Sequence, residues 1–221
     1  MQFQSKMPIG LVIFDMDGVI ADTAEAHKLA WKTYLADYGR DFTEAQFKAI
    51  FGTGNKELCP ILFPEKQLTE DEIKKIGDDK EAAFRTVAQG NLPTYPGFYE
   101  FLEYCDSMNI PLAVGSSACR ENVDFILKDL KITNRFITTV SADDVAHAKP
   151  APDIFLKAAQ NAHVPPESCL VIEDSLMGIQ SGLQAGMRVV ALTTTHQAEE
   201  LHEAHWTTPD FFALKQDFCQ M

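Results

Sequence analysis

The sequence predicts an α/β fold: a doubly wound parallel sheet that carries a helical insertion close to its N-terminal end. Three observations predict it. A continuous apolar run, Ile9 to Phe14, stops abruptly at Asp15-Met16-Asp17-Gly18, as a strand buried on both faces does at its carboxyl end. From Pro96 onward, short apolar runs alternate with stretches of helical spacing. Between them lies a long polar segment of helical periodicity with no β-branched run.

Taken in order, the first strand is followed by a helix between Ala21 and Gly39. Ala26, Leu29, Ala30, Thr33, Tyr34 and Asp37 are spaced there by threes and fours, with Asp22 or Thr23 available to cap the start. Further helices are expected over Glu44 to Phe51, Lys56 to Leu62 and Thr69 to Ala88. The loop Gly52-Thr53-Gly54-Asn55-Lys56 interrupts them and Gly90-Asn91-Leu92-Pro93 ends them. A helix from Phe98 to Met108 then leads to a strand over Ile110 to Val114 and the turn Gly115-Ser116-Ser117. After it come a helix over Glu121 to Leu130, a short strand over Phe136 to Val140 and a helix over Pro152 to Ala162. The strand Cys169 to Ile172 ends in Glu173-Asp174, a helix runs from Met177 to Ala185, and Arg188 to Leu192 is the last clear strand. Right-handed crossovers put the carboxyl end of every parallel strand on one rim, so Asp15, Ser116 and Glu173-Asp174 are expected together there. The domain reading is an α/β core over 1–22 and 93–221, with a helical insertion over 23–92.

Composition narrows the class of function. The 221 residues are 46% hydrophobic and 23% charged, the profile of an ordinary folded chain. A net charge of −13 repels nucleic acid and anionic membranes, so an anionic substrate must be drawn in by a local cation, either a bound metal or a placed lysine. The five cysteines, Cys59, Cys105, Cys119, Cys169 and Cys219, are odd in number and form no Cys-x-x-Cys pair. They suggest neither a disulfide framework nor a zinc site. No signal-like start and no run of membrane-spanning length is present, and the expectation is a cytoplasmic protein.

Each chemical signal has a plain structural alternative. Asp15, Asp17 and Gly18 suit a turn, Ser116 a helix cap, Lys149 an ordinary surface position, and Glu173-Asp174 another cap. Taken together they form the set that phosphoryl transfer requires. Asp15 and Asp17 converge if the chain stays extended, and like charges that close share a cation or hold a proton. Hard oxygen ligands suit Mg²⁺, while a hydroxyl and an ammonium suit the oxygens of a phosphoryl group. Lys149 stands among prolines in Ala148-Lys149-Pro150-Ala151-Pro152-Asp153, which stiffen the backbone around it.

On these motifs the chain resembles the haloacid dehalogenase superfamily. Phe14-Asp15-Met16-Asp17-Gly18-Val19 is similar to its first motif, Val114 to Ser117 to its second, and Ala148 to Asp153 to its third. Val171-Ile172-Glu173-Asp174-Ser175, with Gly178-Ile179 and Ala185-Gly186, is similar to its fourth. The resemblance implies a Rossmann-like core with a small helical cap over Thr23 to Leu92, in the β-phosphoglucomutase-like branch. It makes Asp15 the nucleophile and a Mg²⁺ ligand, and Asp17 the general acid/base whose carbonyl also meets the metal. Ser116, Ser117 and Lys149 hold the phosphoryl group, and Glu173 and Asp174 complete the metal site. Thr23 and His27, in Asp22-Thr23-Ala24-Glu25-Ala26-His27, match the segment entering the cap. Lys80 matches a cap lysine that faces the substrate.

One departure bears on the activity. Phosphoglucomutases carry an arginine, in the loop after the first cap helix, that grips the second phosphate of a bisphosphorylated sugar. Asn55 stands at that place here, with Lys56 beside it. The expectation is therefore a Mg²⁺-dependent phosphatase of a small phosphorylated metabolite, a sugar phosphate, acting through an aspartyl phosphate. The alternative is a hexose phosphate mutase. A phosphorelay receiver uses similar groups, but places its metal acids before the phosphorylated aspartate and has no helical insertion. His196, His202 and His205 are expected to be surface histidines, the last two on a helix. Thr193-Thr194-Thr195 is expected on the same rim as the acids.

Overall fold

A computed structural model describes residues 8–43, 46–47 and 55–218, without the side chains of 55–57. The chain divides into two compact units, one of residues 1–22 with 92–221 and one of residues 23–91.

The first unit is built on a six-stranded sheet in the order β3-β2-β1-β4-β5-β6, with every pairing parallel. Its strands are β1 (Leu11–Phe14), β2 (Leu112–Gly115), β3 (Thr138–Val140), β4 (Cys169–Glu173), β5 (Arg188–Leu192) and β6 (Trp206–Thr208). The four residues of β1, Leu-Val-Ile-Phe, are all fully buried, as a central strand covered on both faces requires. Side chains alternate between the faces. Leu11 and Ile13 join a core with Ile154, Phe155, Val171, Ile179 and Val189. Phe14 lies on the other face, where the rings of Phe98, Phe101, Phe136 and Phe211 stand 5.9–6.1 Å from its own, mostly edge-on.

The order of strands reverses at β1. The chain builds outward through β2 and β3, then returns to the other side of β1 as β4, so the crevice at the carboxyl ends of β1 and β4 is the topological switch point. The register aligns Phe14 with both Val114 and Ile172, and Asp15 N–H donates to the Ile172 carbonyl at 2.9 Å. This places Asp15 beside Glu173, the last residue of β4.

The second unit contains α1 (Ala24–Ala36), α2 (Asn55–Leu62) and α3 (Glu70–Ala88). Trp31, Tyr34 and Leu35, spaced by threes and fours, pack with Phe42, Leu58, Cys59, Leu62, Phe63 and Ile76. A reciprocal capping box, Thr69 with Glu72, starts α3. The helices of the first unit are α4 (Phe98–Ser107), α5 (Arg120–Asp129), α6 (Asp153–Ala162), α7 (Leu176–Gln184) and α8 (Phe211–Asp217). No helix among the described residues is long and apolar enough to cross a membrane, and Cys59, Cys105, Cys119 and Cys169 are free thiols.

Several expectations are corrected. Of the two cap positions expected, Thr23 is the one that precedes the first helix, which begins at Ala24, because Ala21 bridges Asp17 and Thr94 and Asp22 N–H donates to the Pro93 carbonyl. Thr23 is the residue before the helix, but its backbone is already helical and its side chain makes no capping bond. Residues 198–203 form turns, so His202 and His205 do not share a helix. The strand β6 and helix α8 were not expected. Only 46–47 of the helix expected over Glu44 to Phe51 falls within the described residues, and the loop at 52–54 lies outside them.

Candidate active site

The site is assembled by three strand ends and the segment that carries Lys149. Lys149 Nζ lies 2.5 Å from Asp15 Oδ1, 2.7 Å from Glu173 Oε1 and 3.2 Å from the Gly115 carbonyl, with the Phe155 ring beneath it at 4.7 Å. Its side chain is 6% exposed, so the surface-lysine alternative does not hold. Burial, the largest influence on Lys149, works against its charge. The two carboxylates outweigh that and hold the ammonium protonated, well above its ordinary range.

Glu173 is fixed from both sides. Its Oε2 accepts from the backbone N–H groups of Asp174 and Ser175 and from Ser175 Oγ, at 2.8–2.9 Å. Burial pushes its pKa up, but Lys149 and these bonds together hold it below the ordinary carboxylate value. The cap of α7 is Ser175, whose Oγ accepts from Gly178 N–H at 3.1 Å, so Glu173-Asp174 is not a cap. Glycine is required at 178, where a Cβ would fall 1.6 Å from Glu173 Oε1.

Asp15 is pushed up to about 7, first by burial and then by the charges of Glu173 and Asp17, with Lys149 opposing. Burial and the charges of Glu173 and Asp15 also raise Asp174 well above its ordinary value. Ligand oxygens of Asp15, Glu173 and Asp174 all lie within 4.8 Å of one another. Three buried carboxylates face one ammonium there, and a donor set of oxygens alone with surplus negative charge suits a hard divalent cation such as Mg²⁺.

The chain does not stay extended after Asp15. The Met16 carbonyl accepts from the backbone N–H of Val19, Ile20 and Ala21, and Gly18 sits at φ +86°. Asp17 is brought near Asp15 by this turn and is half-buried. Ser116 is fully buried at the end of β2, its N–H bonded to the Val140 carbonyl at 2.9 Å. Its Oγ accepts from Ala118 N–H at 3.0 Å. Cys119 precedes α5, so Ser116 does not cap that helix, and Ser117 is exposed.

In the helical unit, Lys80 Nζ lies 3.0 Å from His27 Nδ1 and 2.7 Å from Glu81 Oε1, and 5.4 Å from the Trp31 ring centre. His27 stacks on Phe84 at 4.0 Å, Lys80 is 6% exposed and Thr23 is 3% exposed. The side chain of Asn55 lies outside the described residues. Two residues of the threonine run expected on this rim gain specific partners. Thr194 Oγ1 donates to the Gly18 carbonyl and Thr195 Oγ1 to Asp174 Oδ2, both at 2.6 Å. Their only signal was position, directly after a strand that ends on this rim. The three C-terminal histidines are not gathered with the acids as a metal set. His205 Nδ1 accepts from Val189 N–H at 3.1 Å, and His196 Nδ1 lies 3.1 Å from the Asp174 carbonyl.

The model of the haloacid dehalogenase-like hydrolase family matches residues 12–192, from within β1 to the end of β5. The chain belongs to the haloacid dehalogenase-like hydrolases. Among members of this family it is 30% identical to protein CbbY of Rhodobacter capsulatus over 94% of this chain and 96% of that one. It is 32% identical to the fructose-1-phosphate phosphatase YqaB of Escherichia coli, over 81% and 94%. A solved β-phosphoglucomutase from Clostridium difficile superposes with a TM-score of 0.81 at 27% identity, covering 96% of each chain. The protein is thus a haloacid dehalogenase-like enzyme with both phosphatase and mutase relatives.

Proposed function

We propose that this enzyme is a Mg²⁺-dependent phosphatase of a small phosphorylated metabolite of the sugar phosphate class. The observation that carries the reading is the buried contact of Lys149 with Asp15 and Glu173 at the switch point of the sheet. It sets a carboxylate nucleophile and an ammonium donor within hydrogen-bond distance of each other, at the end of the strand that Ser116 follows.

In this reading Asp15 attacks phosphorus, the ester P–O bond breaks, and Asp17 delivers a proton to the departing alkoxide. Water then attacks the aspartyl phosphate, Asp17 takes its proton, and inorganic phosphate leaves as Asp15 is regenerated. Lys149 and the Ser116 hydroxyl donate to the phosphoryl oxygens, and Ser117 continues the same turn. Asp15, Asp174, Glu173 and the Asp17 carbonyl would hold Mg²⁺, which offsets the negative charge that an anionic ester otherwise meets. Residues 23–92 serve as the substrate-selecting cap in this reading, with Thr23, His27, Lys80 and Asn55 as its candidate substrate residues. The enzyme works in a cytoplasmic setting.

The second reading, a hexose phosphate mutase, is favoured by the β-phosphoglucomutase structure that covers nearly the whole chain. Against it stands Asn55, which offers neutral donors where a bidentate arginine would hold the far phosphate. A panel of sugar monophosphates, nucleotides and pyrophosphate, assayed with Mg²⁺ for both free phosphate and isomerised sugar, separates the two. Phosphate release should outrun isomerisation, and added sugar bisphosphate should not accelerate turnover. Conversion of β-glucose 1-phosphate to glucose 6-phosphate with little free phosphate would replace this reading by the mutase.

A further inference from the structure

The loop after β5 reaches two separate segments of the candidate site. Thr194 Oγ1 holds the Gly18 carbonyl, and Thr195 Oγ1 lies 2.6 Å from Asp174 Oδ2 and 2.9 Å from the Asp174 carbonyl. A hydroxyl has one proton to give, and the carboxylate oxygen is the closer acceptor. Behind the carboxylate there is no room: a Cβ on Gly18 would fall 2.0 Å from the same Oδ2. Asp174 is therefore wedged between the Gly18 backbone and the Thr195 hydroxyl, 4% exposed, with Oδ1 as its oxygen that receives no hydrogen bond among the described residues.

Its neighbours are held in the same manner. Glu173 Oε2 receives three donors and its Oε1 receives Lys149, while Asp15 Oδ1 also receives Lys149, so both oxygens of Glu173 and one of Asp15 are committed to the protein. We propose that Thr195 is a positioning residue that confines Asp174 to single-oxygen coordination and so makes the acid cluster select Mg²⁺ over Ca²⁺. This rests on the Mg²⁺ reading of the site given above. Mg²⁺ demands a tight octahedral shell with one oxygen from each carboxylate, whereas Ca²⁺ takes more oxygens and accepts both from one carboxylate. Turning Asp174 to offer both oxygens breaks the bond to Thr195 and drives Oδ2 against Gly18. Thr195 is itself exposed, so removing its hydroxyl leaves the apolar core as it was.

The test is calorimetric titration of the metal-free protein with MgCl₂ and with CaCl₂, for the parent, Thr195→Val and Thr195→Ser. The unfolding midpoint of each metal-free protein is measured alongside. Thr195→Val should weaken Mg²⁺ binding by about tenfold, the usual scale for losing a partner of a metal ligand. Ca²⁺ binding should change less, so the preference for Mg²⁺ shrinks, while the metal-free midpoint falls by no more than the loss of one hydrogen bond explains. Thr195→Ser, which restores the hydroxyl, should restore the preference. An unchanged Mg²⁺-to-Ca²⁺ ratio in Thr195→Val, or a serine variant that behaves like the valine one, overturns the role of Thr195 alone. A parent protein that binds no Mg²⁺ at millimolar concentration overturns the Mg²⁺ reading itself, and this inference with it.

Discussion

Asp15 stands where burial and neighbouring carboxylates oppose its charge and Lys149 supports it, and this balance makes two predictions. Replacing Asp15 by Asn removes the attacking carboxylate while relieving repulsion with Glu173 and Asp17. Turnover should fall by at least about a thousandfold. The unfolding midpoint measured at pH 8 should hold or rise, and turnover within tenfold of the parent would exclude a covalent role for Asp15. The second prediction concerns pH. The folded, metal-free protein keeps protons on Asp15 up to about pH 7 and on Asp174 well above its ordinary 3.8, whereas the unfolded chain has lost both above about pH 4. Unfolding then releases protons through this window, so stability falls as pH rises from about 4 to 7. Glu173 has the opposite sign, but its folded pKa lies below its ordinary 4.5, so its contribution is lost only at lower pH. Thermal melts in chelator should show this decline, and Mg²⁺ should raise the midpoint more at pH 8 than at pH 5.5. A midpoint that climbs across the same range in chelator would contradict the raised carboxylates.

At the scale of elements, the acids are positioned by backbone that only glycine permits. The first turn of α7 passes so close to Glu173 that Gly178→Ala would set a methyl 1.6 Å from Oε1, and that carboxylate is already fixed by Lys149 and Ser175. Alanine usually stabilises a helix interior relative to glycine by about 1 kcal/mol. Here the sign should reverse, with a loss of about 1–3 kcal/mol from overpacking. Turnover should drop by about a hundredfold as Lys149 loses its partner geometry. Denaturant melts and steady-state rates on this variant check both, and an alanine protein as stable and active as the parent would mean that Glu173 is free to move. A parallel case lies under the sheet. Phe14, the residue before Asp15, is enclosed by four aromatic rings, so Phe14→Ala should cost about 3–5 kcal/mol, measured by the same melts.

For the whole molecule, a net charge of −13 surrounds a pocket proposed to admit an anion. The long-range field repels the substrate, and only the local cations attract it. Inert salt screens the first over about 10 Å and leaves the buried contacts of Lys149 nearly untouched. At saturating Mg²⁺, kcat/KM for a sugar phosphate should therefore rise as NaCl is increased from about 10 to 100 mM, where the Debye length contracts from about 30 to 10 Å. A steady fall over that range would show that local positive charge governs the encounter instead.

By itself, the sequence determined the order of the main elements and the residues that carry chemistry. An apolar run ending in Asp15-Met16-Asp17-Gly18 is readable because burial on both faces demands it, and helical periods are readable because one face must be apolar. The rim that gathers Asp15, Ser116 and Glu173-Asp174 was readable, since right-handed crossovers carry the carboxyl end of every parallel strand to one side. The choice between Asp22 and Thr23 as the residue before the first helix stayed open, because the bonds that hold Ala21 and Asp22 outside it come from Thr94 and Pro93, more than seventy residues away. The strand β6 and helix α8 escaped because Trp206–Thr208 is a three-residue edge with little apolar pattern, though Asp210, which caps α8 through Ala213 N–H, was a usable signal. Tertiary structure alone decided which oxygens are committed. That Lys149 joins Asp15 to Glu173 and that Thr195 holds Asp174 both depend on distances between segments far apart in the chain. No local propensity encodes such distances, because they follow from how the sheet stacks its strand ends on one rim.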